Sequence, residues 1–403
     1  MPRDPREQSP IPTEPVPLGA LAAETRSWLI REARFLPDNK AVLEEFCTRI
    51  ARAGVPLDRV SLHQRTFHPE YRGAARIWRH GQGIEDQFFD HGIERTAIYL
   101  KSVIRAVMEG NRSFAWRLDG NEALPYTMLE DLRDQGYTHY AIAPMVYTVG
   151  IVNAFSWATK RPDGFNDAEM RFFGEVMPEY AAVAEIKALR RFVGGILTTY
   201  VGAEAGRLIL HGQVQRGDLR TITAALMLVD LRDFTTLSDR LSSSAVIRSL
   251  NQYFDCVMPP VRAHGGEVVE IMGDGVLAIF NRKTERDAAE ACQSALAAAG
   301  AGLAALAERN RKHPATPLQA GVALHYGSVA YGNIGSGNRL DFTVIGPDVN
   351  LTSRIERLCR ELDRSLIMSQ EFAERLHQPI WEIGHFELRG FAKMRRLFEL
   401  PPT

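Results

Sequence analysis

The sequence predicts an α+β chain of two domains joined by a helix, and three observations carry this. Its 403 residues exceed what one domain normally holds. Segments that alternate apolar and polar residues, as half-buried strands do, are interspersed with segments of helical spacing. After Gly217 the pattern changes, and the first strand beyond it, Thr221–Val229 (TITAALMLV), is a continuous apolar run.

Composition narrows the function classes. Hydrophobic residues make up 45% and charged residues 24%, ordinary for a chain with a normal core. Lys+Arg is 48 against 49 for Asp+Glu, a net charge of −1, so no basic excess points to nucleic acid or an anionic membrane as partner. Cys47, Cys256, Cys292 and Cys359 form no CxxC pair, which excludes a disulfide scaffold and a thiolate zinc site as organising principles. No apolar run reaches the roughly 18 residues of a membrane span, and the N-terminus lacks the apolar core of a secretory signal. The expectation is a soluble, cytoplasmic protein.

Residues 1–18 carry six prolines and are expected to stay extended and disordered. From about Thr25 to Ile50 the spacing of Val42, Leu43, Phe46 and Ile50 predicts a helix. Arg59–Phe67 and Arg76–His80 read as paired strands, Tyr99–Val107 as a helix, and Met128–Gln135 as a helix stopped by Gly136. His139–Val146 and Gly150–Thr159 read as strands joined by a turn, and Asn166-Asp167 offers a cap for a helix over Ala168–Leu189. The run DLRDQGYTHYAIAPM, followed by GIVNAFSWAT and GFNDAEMRFF, resembles the closing half of a GAF sensory domain. That resemblance assigns residues 19–181 to a GAF-like sensor and leaves room for a small-molecule ligand there. His63, His68 and His80 lack tight ligand spacing and read as structural or surface residues.

Ala182, Ile186, Leu189, Val193, Ile196 and Tyr200 are spaced 4-3-4-3-4, the seam of a short coiled coil or helical hairpin, interrupted at Gly194-Gly195. Residues 182–217 are therefore expected to be a helical connector, and residues 218–403 a second domain. In it, Ser242–Ser244 caps a helix closed by Gly265-Gly266, and Glu267–Ile271 and Gly275–Phe280 form a hairpin around Asp274-Gly275. Thr284–Asn310 is a long alanine-rich helix. Leu318–Tyr326, Ser328–Asn333 and Phe342–Ile345 are strands, Asp348–Arg360 a helix, and Phe386–Leu388 and Arg396–Leu400 closing strands. The order β-α-β-β-α-β is the ferredoxin-like plan.

On that plan the first strand, ending at Asp230, neighbours the hairpin tipped by Asp274. Two carboxylates at one sheet edge suit Mg²⁺ or Mn²⁺ held also by substrate phosphates, and two such ions serve phosphoryl transfer. The turn Arg232–Thr236 offers backbone N–H groups to phosphate.

The stretches LVDLRDFTTLSDRL, GGEVVEIMGDGVLAIF, GVALHYGSVAYGNIGSGNRLDFTVIGPDVNLTSRIE and FELRGFAKMRRLFEL resemble, in order, the catalytic domain of class III nucleotidyl cyclases, the adenylate/guanylate cyclase family. The resemblance implies two Mg²⁺ or Mn²⁺ ions on Asp230 and Asp274, with the Leu231 carbonyl assisting. It places Phe234, Thr235 and Thr236 in the phosphate turn, and Asn350 and Arg354 as the catalytic pair on ribose and α-phosphate. It further implies a homodimer, because metal aspartates and the Asn/Arg pair of one site come from different chains. Lys393 is the nearest counterpart of a phosphate-contacting lysine, with Arg389 its rival. Asp233 stands where glycine is usual and reads as a solvated turn residue.

At the base-recognition positions the family resemblance puts Glu270 and Thr343. A carboxylate accepts from guanine N1–H and N2–H₂, whereas against adenine N1 it sets acceptor against acceptor, at about 1–3 kcal/mol. Residue chemistry leans to GTP; the habit of bacterial-looking, GAF-linked cyclases leans to ATP. The expected product is the 3′,5′-cyclic nucleotide, in intracellular signalling. A silent nucleotide-binding regulator on the same scaffold is the alternative, opposed by the presence of both aspartates and the Asn/Arg pair. No GG[DE]EF-type turn supports a diguanylate cyclase.

Overall fold

A computed structural model describes residues 17–65, 71–120, 122–281, 288–337 and 339–401. It divides into two compact units, Met1–Ile196 and Leu197–Thr403. The fold is mixed α+β. The expected proline-rich tail falls outside the described residues as far as position 16; its last residue, Leu18, already starts a helix.

The first unit comprises α1 (Leu18–Arg31), α2 (Asn39–Arg52), β1 (Arg59–Arg65), β2 (Tyr71–Arg79), β3 (Gly83–Asp90), α3 (Ala97–Leu100), α4 (Val103–Gly110), β4 (Phe114–Arg117), α5 (Thr127–Asp134), β5 (His139–Val146), β6 (Val152–Thr159) and α6 (Asp167–Val201). The strands form one antiparallel sheet in the order β3-β2-β1-β6-β5-β4. Period-two alternation sends Ala141, Met145, Phe155 and Trp157 into the core shared with α1, α2 and α6. Tyr140, Ile142, Ala154 and Ala158 enter the core shared with α4 and α5.

The helix expected over Thr25–Ile50 is broken. Leu36, before Pro37, is extended, and Asp38 starts α2 anew by accepting the Lys40 and Ala41 N–H groups at 2.9 Å. The helix expected over Tyr99–Val107 likewise divides, with Ser102 capping α4 through the Arg105 N–H at 3.2 Å. Strands β3 and β4, not anticipated, are the two sheet edges, where little burial imprints a hydrophobic pattern.

The cap expected at Asn166 is a reciprocal one. Asn166 Oδ1 accepts the Glu169 N–H at 2.9 Å, and Glu169 Oε2 accepts the Asn166 N–H at 2.8 Å. The helix does not stop at Leu189. It passes through Gly194-Gly195 and ends at Val201, before Gly202 with φ +91°. Phe172, Phe173, Val176, Tyr180, Val183 and Ala184 are buried, whereas Ile186, Leu189, Val193, Ile196 and Tyr200 are 38–81% exposed.

The second unit follows with α7 (Ala203–Leu210), β7 (Leu219–Leu231), α8 (Phe234–Arg240), α9 (Ser243–Ala263), β8 (Glu267–Met272), β9 (Gly275–Asn281), α10 (Ala288–Lys312), β10 (Ala320–Ser336), β11 (Arg339–Ile345), α11 (Pro347–Glu361), β12 (Leu366–Ser369), α12 (Gln370–Ala373), β13 (Trp381–Phe386) and β14 (Arg395–Glu399). The order β10-β7-β9-β8 is that of a ferredoxin-like β-α-β-β-α-β unit, and it is extended through β12, β14 and β13, with β11 pairing β10. Only the β10–β12 pairing is parallel among the described pairs. Ala225, Met227, Val229 and Leu231 of β7 face the core with α9 and α10. Ala224, Leu226 and Leu228 face the opposite side, where Ala205 and Leu208 of α7 pack. The two strands expected over Leu318–Asn333 are one continuous strand, β10, which Gly327 does not interrupt. The start of the long helix expected from Thr284 lies outside the described residues until Ala288.

Candidate active site

The apolar stretch Ala224–Val229 of β7 is held from both faces, so the strand's last residues are fixed where it leaves the core. Asp230 lies there, and the tight turn between β8 and β9 brings Asp274 against it, close enough for the two carboxyl groups to share a hydrogen bond. The N–H of Leu231 donates to Asp230 Oδ1 at 3.1 Å. Burial first, and the Asp274 charge second, raise the Asp230 pKa well above the usual carboxylate range. Both aspartates line a cavity of about 490 Å³ that is also lined by Ser353, Glu356, Arg357 and Arg360 of α11.

This donor set fits a divalent cation. Two adjoining carboxylates repel one another until a proton or a metal intervenes, and hard oxygen donors with space for phosphate suit Mg²⁺ or Mn²⁺. Among the described residues no group of three or more His, Cys, Asp or Glu side chains is arranged to hold a metal, so further ligands must come from backbone, water or substrate.

Glu356 was not anticipated. Its pKa is raised to about 7, by burial first and by the Asp230 charge next, with Arg360 opposing. A periodic pattern along α11 marks which residues share a face, but not which neighbour that face meets.

Asn350 is exposed and Arg354 half-buried on α11, and neither lines the cavity that holds Asp230 and Asp274. Phe234, Thr235 and Thr236 form the first turn of α8. Asp233 before them has φ +56°, the left-handed conformation that glycine, Asn and Asp tolerate best, and is exposed. The Arg232 side chain is tied to the far end of α11, pairing with Asp363 at 2.7 Å and donating to the Cys359 and Arg364 carbonyls at 3.0 and 2.7 Å. Lys393 and Arg389 are both exposed between β13 and β14 and do not line the cavity.

Glu270 and Thr343 are brought together. The Thr343 hydroxyl donates to Glu270 Oε2 at 2.7 Å. The register of β8 against β9 shifts between Val268 and Glu270, a bulge of the kind that re-aims a side chain beside a site.

The ferredoxin-like sheet brings two carboxylates together, Asp230 near the end of β7 and Asp274 in the β8–β9 turn. Residues 219–398 match the family described as Adenylate and Guanylate cyclase catalytic domain. This part of the chain is a class III nucleotidyl cyclase catalytic domain. The chain is 32% identical over 145 residues to Adenylate cyclase 1 of Rhizobium meliloti, covering 36% of this chain and 22% of that one. It is 28% identical over 199 residues to the Adenylate cyclase of Anabaena cylindrica, covering 48% and 38%. The solved guanylyl cyclase Cya2 is 29% identical, covering 46% of this chain and 93% of that one, with a TM-score of 0.40. The chain spans well under half the length of the two curated relatives. Among the described residues no helix is long and apolar enough to cross a membrane.

Proposed function

We propose that this protein converts a purine nucleoside triphosphate, GTP in preference to ATP, to the 3′,5′-cyclic nucleotide and pyrophosphate, as a homodimer with two equivalent sites shared between chains. The observation that supports this best is the division of α11. Its Ser353 and Glu356 line the cavity of Asp230 and Asp274, while Asn350 and Arg354 lie off that cavity and are free to serve the site of a second copy.

Asp230 and Asp274, with the Leu231 carbonyl, would hold two Mg²⁺ or Mn²⁺ ions. Such ions, when bound, polarise the α-phosphate and neutralise charge on the attacking and leaving oxygens. The first turn of α8, Phe234–Thr236, would offer backbone N–H groups to the β- and γ-phosphates, and Lys393 in the β13–β14 loop would be a further contact. Arg354 presents a planar fork of donors to the α-phosphate, and Asn350 orients the ribose. The ribose 3′-oxygen bonds to the α-phosphorus as the bond to pyrophosphate breaks.

Base choice rests on Glu270. With the Thr343 hydroxyl donating to one carboxylate oxygen, the other remains an acceptor for guanine N1–H and N2–H₂. The relatives named as adenylate cyclases pull towards ATP. The purified protein, given ATP, GTP, CTP or UTP with Mn²⁺ or Mg²⁺, is expected to form cyclic GMP fastest, with products identified by mass. Glu270→Lys is expected to lower the GTP-to-ATP ratio by about 10- to 100-fold, the equivalent of about 1–3 kcal/mol. A ratio unmoved by this change, or a strong wild-type preference for ATP, removes Glu270 as the discriminator.

We read residues 19–181 as a GAF-like sensory domain that acts on the cyclase through α6. The six-stranded sheet covered on both faces, and a helix that continues from that core to Val201, support this. A fragment of residues 197–403 is then expected to differ from the full chain in turnover at matched dimer content. Equal rates would leave the first unit without a regulatory role.

A further inference from the structure

Strand β10 carries a buried polar contact that the proposed chemistry does not use. The His325 side chain is 2% exposed, with Nδ1 2.7 Å from Ser369 Oγ at the end of β12. Its Nε2 lies 3.4 Å from Asp348 Oδ1 and is otherwise without a partner. Asp348 is in the first turn of α11, and its Oδ2 accepts the Ser328 N–H of β10 at 2.7 Å. The fit depends on Gly327: a Cβ there would overlap both Asp348 Oδ2 and His325 Nε2.

Ser369 Oγ accepts the Phe372 N–H at 3.3 Å and has a hydroxyl proton to give His325 Nδ1, which also lies 3.9 Å from Glu371 Oε2. In the tautomer that takes that proton, Nε2 carries the ring proton and faces the Asp348 carboxylate, which can only accept. The His325 contact is the foremost cause holding the Asp348 carboxyl below its usual pKa.

We propose that His325 is a positioning residue for catalysis, fixing through Asp348 the rotation of α11 and so the aim of Asn350 and Arg354. Asp348 precedes Asn350 by two residues. One residue's slip in helical phase turns a side chain by about 100°, so a tether in the first turn decides where that pair points. The inference rests on the proposed catalytic role of Asn350 and Arg354, and turnover depends steeply on such placement, at about 10²-fold for 1 Å.

The test uses the full-length protein, with kcat, KM for the preferred triphosphate and Mn²⁺ affinity by electron paramagnetic resonance. His325→Ala and Asp348→Asn are expected to lower kcat by about 10- to 100-fold, leaving Mn²⁺ affinity and KM within about twofold. His325→Gln, whose amide N–H reaches towards Asp348, is expected to recover most of the loss, and His325→Asn, which reaches only towards Ser369, is not. Should His325→Ala fail to fold, Asp348→Asn and the Gln/Asn pair carry the decision. Full kcat in Asp348→Asn and His325→Asn, or losses of kcat and Mn²⁺ affinity together, would overturn the inference. Asn350→Ala and Arg354→Ala, measured alongside, separate the two failures. If these stay active, the catalytic role of the pair falls and the inference with it. If they are dead while the His325 and Asp348 variants turn over normally, the inference alone falls.

Discussion

Asp274→Asn is expected to lower cyclic-nucleotide formation by about 10³-fold or more, because it removes a donor for ions that contribute several kcal/mol to the transition state. The same substitution has an opposite effect on the metal-free fold. Burial and the neighbouring Asp274 charge raise the Asp230 pKa to about 6. A carboxyl whose folded pKa lies above its unfolded one stabilises fully below the unfolded value, about 3.9, and loses that contribution as pH rises through the folded value. In chelator, wild-type protein should therefore melt at a lower temperature as pH climbs from about 4 to 7, and Asp274→Asn should show a shallower decline. Thermal melts at several pH values check this and separate a lost ligand from a damaged fold. A variant with wild-type turnover would remove Asp274 from the chemistry altogether.

Co-expression of Asp274→Asn with Arg354→Ala is expected to restore activity that neither variant has alone. In a mixed dimer the Arg354→Ala chain supplies intact aspartates, and its partner an intact Asn350 and Arg354. With random pairing, half the dimers are mixed and each has one whole site of two, so about a quarter of wild-type activity should return. A mixture as inactive as its components would mean that each site is built within one chain, contrary to the shared site proposed above.

The residues with clear sequence signals were those whose placement is set locally. Asp230 follows an apolar run of strand length, and Asp274 tips an Asp-Gly hairpin, so on the ferredoxin-like plan their meeting follows from strand order. Glu270 and Thr343 come from the family resemblance, and their hydrogen bond adds a geometry that spacing does not contain. Glu356, Arg357 and Arg360 carry no local signal, because their importance arises from which neighbour the α11 face meets. His325, Ser369 and Asp348 lie on three different elements and become one feature only when β10, β12 and α11 pack. In the fold, β3 and β4 were missed as edges with little burial. Strand β10 was divided at Gly327, a residue that reads as a breaker and instead makes room for a carboxylate.

The apolar stripe along α6 bears on the fate of a chain that has not yet met its twin. Such a chain shows water a row of Ile, Leu, Val and Tyr side chains on one side of a helix, a surface that invites adhesion to any greasy partner. Ile186, Leu189, Val193, Ile196 and Tyr200 follow the 3-4 spacing of a helix-pairing seam. Pairing would then protect a newly made chain from clumping and from proteolysis, quite apart from completing its catalytic machinery.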